Sequence, residues 1–378
     1  MKACVITIID YKNYGNRLQN YALNKAIQSL DIEVVNGLEV FSKTKWIEDK
    51  SKKGTNTILL KRFPIKAIKI YRRFRGKMAK SNKIYKEREQ RLRKFTQNNM
   101  KTFPCLYVID DEDLRNQIGD HDIDYYIVGS DQVWNPYYEG HDFEFLNFTV
   151  PEKKLSFSAS FGVSDLPIDC KERYANYLNT FKNLSVREKS GKRIIEDLIS
   201  KETQVTIDPT LLLKSCEWEK ITNDSEIDNC KEDYIVSYFL GDVPDIIKQL
   251  DSKSEMRMYC LNDTSQMQLF GVGVETFLYL IKNAKLVLTD SFHATVFSLV
   301  FNTDFYVFNR TQSGVSNMFT RISSLIETFE LSDRICTESE NDINLEAYIS
   351  KKKWENVNRI LDIKREEGIQ YLKSLLFG

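Results

Sequence analysis

The stretch LVLTDSFHATVFSLVF at residues 286–301 carries the side chains best suited to chemistry in this sequence. An apolar strand pattern ends before Asp290, and a helical pattern begins within Ser291, Phe292 and His293. Free amides at a helix N-terminus bind phosphate, and the Ser291 hydroxyl suits either a helix cap or a ligand contact. His293 in the first turn suits phosphate binding or general-acid catalysis. The alternative is a capping serine beside a purely structural histidine.

Arg187 is the second candidate, in the segment NLSVREKSG at residues 183–191. It lies where a predicted strand ends and a predicted helix begins. A guanidinium at such a place can hold a carboxylate or phosphate through two parallel hydrogen bonds. The alternative is an ordinary ion pair with Glu188 or another acid.

Three further loops follow predicted strands and supply candidate substrate contacts. They are DYKNYGNRLQ from residue 10, which lacks a GxGxxG fingerprint, YIVGSDQVWNP from residue 126 and SFSASFG from residue 156. Such loops often only turn the chain, but their shared position after strands favours a substrate cleft. The candidate residues in them are Asn16, Arg17, Gln19, Ser130, Asp131, Gln132, Ser158 and Ser160, and the stretch at 286–301 adds Asp290, Ser291 and Phe292 as candidate substrate contacts.

Short apolar strands alternate with helical stretches along the chain, which predicts an α/β fold with parallel sheets and right-handed crossovers. Among these elements we predict strands at Tyr125–Val128, Leu184–Val186, Leu286–Thr289 and Phe305–Phe308 and a helix at His293–Phe301. At 378 residues the chain is long enough for two domains, and an acid-rich stretch suggests a boundary near 200–232. We expect one domain over 1–205, a second over 206–350, and an amphipathic helix over 351–378 that follows them.

Composition and charge exclude several classes of protein. Lys+Arg and Asp+Glu are both 54, which is unlike a globally basic nucleic-acid coat. The seven cysteines are scattered and odd in number, and none of the three histidines lies near a cysteine at zinc-ligand spacing, so we expect reduced thiols, a cytoplasmic location and no metal. We also expect no secretory signal, because an acid follows within ten residues of Met1, and the longest uncharged run, 13 residues, is too short to span a bilayer.

Residues 61–94 depart from this neutrality, with 15 basic residues and two acids. Aromatic and aliphatic side chains are interleaved with the charges, as in amphipathic segments that bind anionic membranes. The alternative is a solvated helical face whose charges offset acids elsewhere. We expect the segment to contact an anionic membrane surface from the cytoplasmic side, and we expect no nucleic acid, because no RNP, KH or zinc-finger pattern is present.

Taken together, these stretches resemble the polysaccharide pyruvyl transferase family. The matching motifs are NYGNRLQNYAL near residue 14, VGSDQVWNP at 128, KLSFSASFG at 154, LSVREKSG at 184, DPTLLL at 208 and LVLTDSFHATVFSLVF at 286. Their order and spacing fit the family across most of the chain. The resemblance implies a GT-B-like fold of two facing Rossmann-like, doubly wound domains. It places the acceptor on the first domain, the donor phosphate on the second, and the C-terminal helix back on the first.

The resemblance also implies a reaction, the transfer of the enolpyruvyl unit of phosphoenolpyruvate onto two sugar hydroxyls to form a pyruvyl ketal. The family's arginine in its VRE motif falls on Arg187, and its histidine falls on His293. Some members carry arginine where this chain has Ser291, and many carry glycine where it has Ala294. Protonating the donor methylene requires a general acid such as His293, and Asp131 is the candidate base for the acceptor.

The ligands and the wider role are likewise implied by the resemblance. Phosphoenolpyruvate is the donor substrate, no cofactor is needed, and the acceptor is a lipid-linked sugar or oligosaccharide in capsule or exopolysaccharide biosynthesis. Two other classes stay open. One is a GT-B glycosyltransferase that uses a nucleotide-sugar donor, and the other is a catalytically retired scaffold of the polysaccharide assembly machinery.

Overall fold

Two parallel β-sheets, one from each half of the chain, form the frame of the molecule. The computed structural model describes residues 1–36, 40–42, 83–102, 106–108, 111–118, 122–137, 142–227, 232–253, 255–263, 265–310, 319–336 and 349–378. The strands are β1 (Lys2–Ile6), β2 (Glu33–Asn36), β3 (Val40–Ser42), β4 (Leu106–Val108), β5 (Tyr125–Val128), β6 (Lys154–Ser156), β7 (Leu184–Val186), β8 (Thr203–Val205), β9 (Tyr234–Tyr238), β10 (Arg257–Cys260), β11 (Leu286–Thr289), β12 (Phe305–Phe308) and β13 (Ile335–Cys336).

Helices connect these strands in almost strict alternation. They are α1 (Tyr14–Gln28), α2 (residues 83–99), α3 (Asp111–Ile118), α4 (Lys171–Asn179), α5 (Lys189–Ile199), α6 (Ser215–Thr222), α7 (Asp245–Lys253), α8 (Met267–Phe270), α9 (Val274–Asn283), α10 (Phe292–Phe301), α11 (Phe319–Thr328) and α12 (Lys351–Phe377). No helix within the described ranges is long and apolar enough to cross a membrane.

Each sheet is doubly wound. The first has the order β2-β1-β5-β6, and the second has the order β10-β9-β11-β12-β13, with parallel pairing throughout. The parallel pair β7-β8 joins the first sheet through a bridge between Ala159 and Val186. The chain reverses direction across the sheet between β1 and β5 and again between β9 and β11. Such switch points open a crevice at the carboxyl ends of the strands.

The last helix ties the two sheets together. Trp354, Val357 and Leu361 near its start belong to the apolar core around the second sheet. Leu372 and Leu376 near its end pack in the core formed by β1 and α1. We call the half built on the first sheet the first unit and the half built on the second sheet the second unit. The predicted α/β class, with two Rossmann-like units and a final helix that returns to the first, is confirmed; the exact domain limits stay a prediction.

Side-chain caps fix the starts of the two helices that meet between the units. Asn13 Oδ1 accepts a hydrogen bond from the Asn16 amide at 3.4 Å at the start of α1. Ser291 Oγ accepts one from the Ala294 amide at 3.4 Å at the start of α10. Each cap satisfies a helical amide that has no partner within its own helix. The capping interpretation of Ser291 therefore agrees with the structure.

The basic segment falls only partly within the described ranges. Its residues 61–82 lie outside them, whereas 83–94 belong to α2. There Arg88 is buried against the second unit, where its Nε donates to the Phe270 carbonyl at 2.7 Å and its guanidinium lies 4.9 Å from the Tyr14 ring centre. This part of the segment contacts protein, and membrane contact by the rest stays a prediction.

Candidate functional site

Four buried polar side chains from both units meet in what we call the polar cluster. Asp131 follows β5, Arg187 follows β7, Asp208 follows β8, and His293 lies in the first turn of α10. Each of the four is at most 9% exposed. Because strand ends gather at one edge of a parallel sheet, residues that are distant in the sequence meet there. The cluster contains all three residues predicted to be catalytic.

Two nitrogens of the Arg187 guanidinium donate to carboxylates, and the third has no hydrogen-bond partner among the described residues. Its Nη1 donates to Asp208 Oδ2 at 2.7 Å, and its Nε donates to Glu188 Oε1 at 3.0 Å. Ser160 Oγ also donates to Glu188 Oε1, at 2.7 Å, and the guanidinium carbon lies 4.5 Å from the Phe292 ring centre. The buried Nη2 has no hydrogen-bond partner among the described residues. A buried donor left without an acceptor is costly, which points to a ligand.

Asp131 is buried within the electrostatic influence of Arg187. Its Oδ2 accepts from Asn16 Nδ2 at 2.9 Å, and its Oδ1 accepts from the Gln132 amide at 3.0 Å. Burial raises the pKa of Asp131, but the positive charge of Arg187, together with His293, outweighs burial and brings that pKa below its ordinary value. The carboxylate can therefore accept a proton.

Asp208 links Arg187 to His293. Its Oδ2 accepts from Ser130 Oγ at 3.2 Å and lies 3.8 Å from His293 Nε2. Its Oδ1 accepts from Thr210 Oγ1 at 2.6 Å. Burial raises the pKa of Asp208, but His293 and Arg187 outweigh it, so that the pKa lies below its ordinary value. This carboxylate fixes the guanidinium and faces the imidazole.

His293 is buried with a free nitrogen. Its Nε2 has no hydrogen-bond partner in the part of the chain that the structure describes. Burial lowers the pKa of His293 below 6.5, although the negative charges of Asp208 and Asp131 act in the opposite direction. The imidazole is therefore neutral at pH 7 in the unliganded protein. An anion bound beside His293 would raise the pKa of the imidazole and so favour its protonated form, which a general acid requires.

Gly15 makes room for the imidazole. A Cβ at this position of α1 would lie 1.9 Å from His293 Nδ1, which is far inside van der Waals contact. Alanine is otherwise the better helix former by about 0.5–1 kcal/mol. Glycine at position 15 lowers helix propensity, but the absence of a Cβ leaves space in the first unit for the His293 side chain of the second unit.

We expect Gly15→Ala to displace His293 and to lower turnover at least about ten-fold, an effect of misplaced catalytic geometry. The unfolding temperature should change little, because helix propensity and the clash oppose each other. Gly368→Ala in α12 is the matched control, since its Cβ would meet first the flexible end of Leu212 at 2.7 Å. Normal turnover in Gly15→Ala, measured beside this control, would contradict a precise seat for the imidazole.

A pocket of about 250 Å³ opens beside the polar cluster, between the two units. The first unit contributes Arg187, Thr206 and Asp208, and the second contributes Phe292. The charged side chains that line it are four basic and two acidic, namely Arg187, Lys189, Arg321, Lys364, Glu188 and Asp208. The excess of positive charge suits an anionic ligand.

Two other predicted contacts from the first unit, Arg17 and Gln19, form side-chain hydrogen bonds within the protein, whereas the hydroxyl of a third, Ser158, forms none in the described part of the chain. Arg17 Nη2 donates to the Ile8 carbonyl at 2.8 Å, and Gln19 Oε1 accepts from the Ser130 amide at 3.1 Å. These two residues brace the loops that carry the polar cluster. Ser158 Oγ is buried and has no hydrogen-bond partner among the described residues.

Two further predicted contacts lie at the ends of strands. Asp290 Oδ1 accepts from the Leu240 amide at 2.7 Å, and its Oδ2 accepts from Arg310 Nε at 2.9 Å. Asp290 therefore joins the loops after β9 and β11. Gln132 Oε1 accepts from Asn135 Nδ2 at 2.7 Å. The binding roles of Asp290 and Gln132 stay predictions.

Sequence reasoning missed Asp208, Gly15 and Arg321. Asp208 begins the DPTLLL motif and lies three residues after the end of β8, just as Asp131 lies three residues after the end of β5, so both carried the same signal, a carboxylate shortly after a strand. Gly15 lies inside a motif that was recognised, but its contact with His293 comes from the opposite unit. Arg321 lies within α11 and carried no local signal. In the described ranges, no group of three or more His, Cys, Asp or Glu could hold a metal ion; the absence of a cofactor stays a prediction.

A family profile described as polysaccharide pyruvyl transferase matches residues 13–312. The chain belongs to the polysaccharide pyruvyl transferase family. The matched range includes every member of the polar cluster as well as Gly15 and Asn16. As a member of this family the protein is a transferase of polysaccharide modification, as predicted.

Solved structures match this pyruvyl transferase family member over its whole length at low identity. A UDP-GlcNAc 2-epimerase from Methanocaldococcus jannaschii, in complex with UDP-GlcNAc and UDP, has 14% identity, full coverage of both chains and a TM-score of 0.49. A glycosyltransferase from Rickettsia africae has 10% identity, covering 100% of this chain and 99% of its own, with a TM-score of 0.47. A comparison with curated proteins gives no significant match. At these identities the likeness carries no information on the substrate.

Proposed function

We propose that this polysaccharide pyruvyl transferase moves the enolpyruvyl unit of phosphoenolpyruvate onto two hydroxyls of a sugar in a capsule or exopolysaccharide precursor. One observation carries the proposal. Arg187 Nη2 and His293 Nε2 are both buried, lie in the same cluster, and have no protein partner among the described residues. One is a cationic donor that suits a carboxylate or phosphate, and the other is a nitrogen that can carry a proton. An anionic donor that must be protonated on carbon meets both requirements.

The reaction then follows from the positions of the side chains. The donor binds with one anionic group at Arg187, and its negative charge raises the pKa of His293. His293 protonates the methylene carbon, which leaves an oxocarbenium-like centre at the adjacent carbon. A sugar hydroxyl attacks that carbon, its proton passes to Asp131, and the bond to the phosphate oxygen breaks. The neighbouring hydroxyl attacks the same carbon and closes the ketal, and its proton passes to His293, which became neutral when it protonated the methylene carbon. Asp131 then returns its proton to the solvent. The products are the ketal and phosphate.

The test compares donors with the purified full-length protein. Phosphoenolpyruvate and a panel of nucleotide sugars are each incubated with lipid-linked mono- and oligosaccharide acceptors. Phosphate release together with an acceptor that gains one pyruvyl ketal supports the proposal. Nucleotide release with transfer of a sugar would assign a glycosyltransferase instead. Silence with every donor, in protein that unfolds cooperatively, would favour a scaffold.

We further propose a cytoplasmic, peripheral position at the membrane, with a lipid-linked sugar as acceptor. The support is the excess of 15 basic over two acidic residues in 61–94, interleaved with aromatic and aliphatic side chains. Each Lys or Arg near an anionic surface contributes about 1 kcal/mol. A lipid-linked acceptor lies at that same surface, so such binding would bring the cleft to its substrate.

Changing Arg72, Arg73 and Arg75 to Glu should abolish co-sedimentation with anionic liposomes. Wild-type binding should require anionic lipid and should weaken as salt shortens the Debye length from about 10 Å at 0.1 M to about 3 Å at 1 M. The matched control changes the basic run 351–353 at the start of α12, which has the same charge, to Glu. Equal binding to neutral and anionic liposomes, or no binding at low salt, would contradict membrane contact.

A further inference from the structure

Arg321 and Arg187 both line the pocket. It lies on α11, where Ser324, Leu325 and Thr328 also line the pocket. Their spacing of three, four and seven residues places all four on one face of the helix. Arg321 is therefore the first of four residues on the face of α11 that lines the pocket. Arg187 and Arg321 reach the pocket from different units, one from each side of the cleft.

Arg321 is buried and its charge acts on the polar cluster. Its exposed fraction is 6%. A guanidinium is buried at such a depth only where opposite charge compensates it. The positive charge of Arg321 lowers the pKa of Asp131 and also that of His293. Its field therefore reaches both the predicted base and the predicted acid.

Arg187 alone cannot hold a ligand with two anionic groups. Its Nη1 bonds to Asp208 and its Nε bonds to Glu188, so a single nitrogen, Nη2, is left. From the sequence, Arg187 is expected to bind a ligand through two parallel hydrogen bonds. In the structure, two of its nitrogens instead donate to the carboxylates of Asp208 and Glu188. Asp208 and Glu188 together carry two negative charges, whereas Arg187 carries one positive charge, so these three residues leave no net positive charge for a ligand. A carboxylate and a phosphate on the same small molecule require a further cation within the pocket.

We propose that Arg321 is a second donor-binding residue, which holds one anionic group of the donor across the pocket while Arg187 Nη2 holds the other. This inference rests on the proposed function, in which the donor is phosphoenolpyruvate. The pocket of about 250 Å³ has room for a molecule of that size between the two guanidiniums. Since the arginines belong to different units, the donor bridges the cleft beside Phe292, the residue that precedes His293.

The experiment is titration calorimetry with phosphoenolpyruvate on the full-length protein, with Arg321→Gln and Arg321→Lys as variants. The Gln variant should bind about 10- to 100-fold more weakly, as expected when a charge-assisted hydrogen bond is lost. The Lys variant should recover part of the affinity, because it keeps the charge but not the planar fork. Arg334→Gln is the matched control, since Arg334 is also buried, at 4% exposure, but pairs with Asp333 outside the pocket.

A pH profile tests whether the charge of Arg321 acts at the catalytic centre. His293 is faced by Asp208, Asp131, Arg187 and Arg321. Loss of the Arg321 charge should therefore move the upper pH limit of kcat/KM upward in Arg321→Gln, whereas Arg321→Lys, which keeps the charge, should leave that limit in place. An unchanged limit in Arg321→Gln would contradict a position of the Arg321 charge close to His293.

The outcomes distinguish this inference from the proposed function. If folded Arg321→Gln, or Arg321→Lys should the Gln variant not fold, binds phosphoenolpyruvate as tightly as the wild type while Arg187→Gln binds it weakly, the role of Arg321 is overturned and the donor assignment stands. If the wild-type protein itself shows no binding of phosphoenolpyruvate, the proposed function falls and this inference falls with it. Equal weakening in the Arg334→Gln control would also overturn it.

Discussion

Turnover with phosphoenolpyruvate should fall about 10²- to 10⁴-fold in His293→Ala and His293→Gln, the usual contribution of a positioned general acid. Donor affinity should change far less, because Arg187 still binds the anion. The fold should persist, since the Nε2 atom that is removed makes no hydrogen bond within the described residues. Steady-state kinetics, calorimetric donor binding and thermal unfolding of the same preparations measure the three effects separately.

The pH dependence of the wild-type protein belongs to the same prediction. A general acid acts only in its protonated form, so activity falls as pH rises through its pKa. Burial holds the pKa of His293 below 6.5 in the free protein, and kcat/KM should therefore begin to fall below that pH. The bound donor raises this pKa, so kcat should hold to a higher pH than kcat/KM does. In His293→Gln this separation should disappear. Near-normal turnover in either variant would contradict the general-acid role.

Arg187→Ala should weaken donor affinity by about 1.5–3 kcal/mol, the value of a charge-assisted hydrogen bond. It should also destabilise the fold by about 3–5 kcal/mol, because Asp208 and Glu188 would be left buried without their cation. Arg187→Lys separates the two effects. The ammonium can still compensate a carboxylate, but it cannot reach two carboxylates and the ligand at once.

The matched control for that substitution is Arg193→Lys on α5. Arg193 is exposed and donates to the Ser164 carbonyl at 2.9 Å, away from the pocket. Donor affinity in the control should equal that of the wild type. If Arg187→Lys binds the donor normally while it remains folded, the guanidinium is an internal ion pair only, which is the alternative interpretation of this residue.

Much of the fold followed from local patterns. The strands β5, β7, β11 and β12 have the predicted limits, because each is a short apolar run between polar turns. The start of α10 is displaced by one residue, from His293 to Phe292, since the Ser291 cap fixes it directly. Strand order was not predicted, because periodicity carries no information on which strands are neighbours.

The candidate site could be predicted only for residues that lie within four positions after the end of a strand. Arg187, Asp131 and His293 meet as expected from that rule. The position of Arg187 after a strand did not predict both of its partners. Glu188 is adjacent in sequence, but Asp208 is 21 residues away and could not be assigned from a local pattern. Arg321 and Gly15 depend on how the two units face each other. That geometry is set by tertiary packing, and no local sequence pattern in α11 or α1 predicts it.

The most direct test of the central claim is the reaction with phosphoenolpyruvate and a sugar acceptor in D₂O. Protonation of the donor methylene by His293, in exchange with solvent, predicts one deuterium in the methyl group of the ketal and one phosphate released for each ketal formed. Mass spectrometry and NMR of the product measure both quantities. A ketal without deuterium would contradict protonation of the donor carbon, and product formation only from a nucleotide sugar would contradict the donor itself.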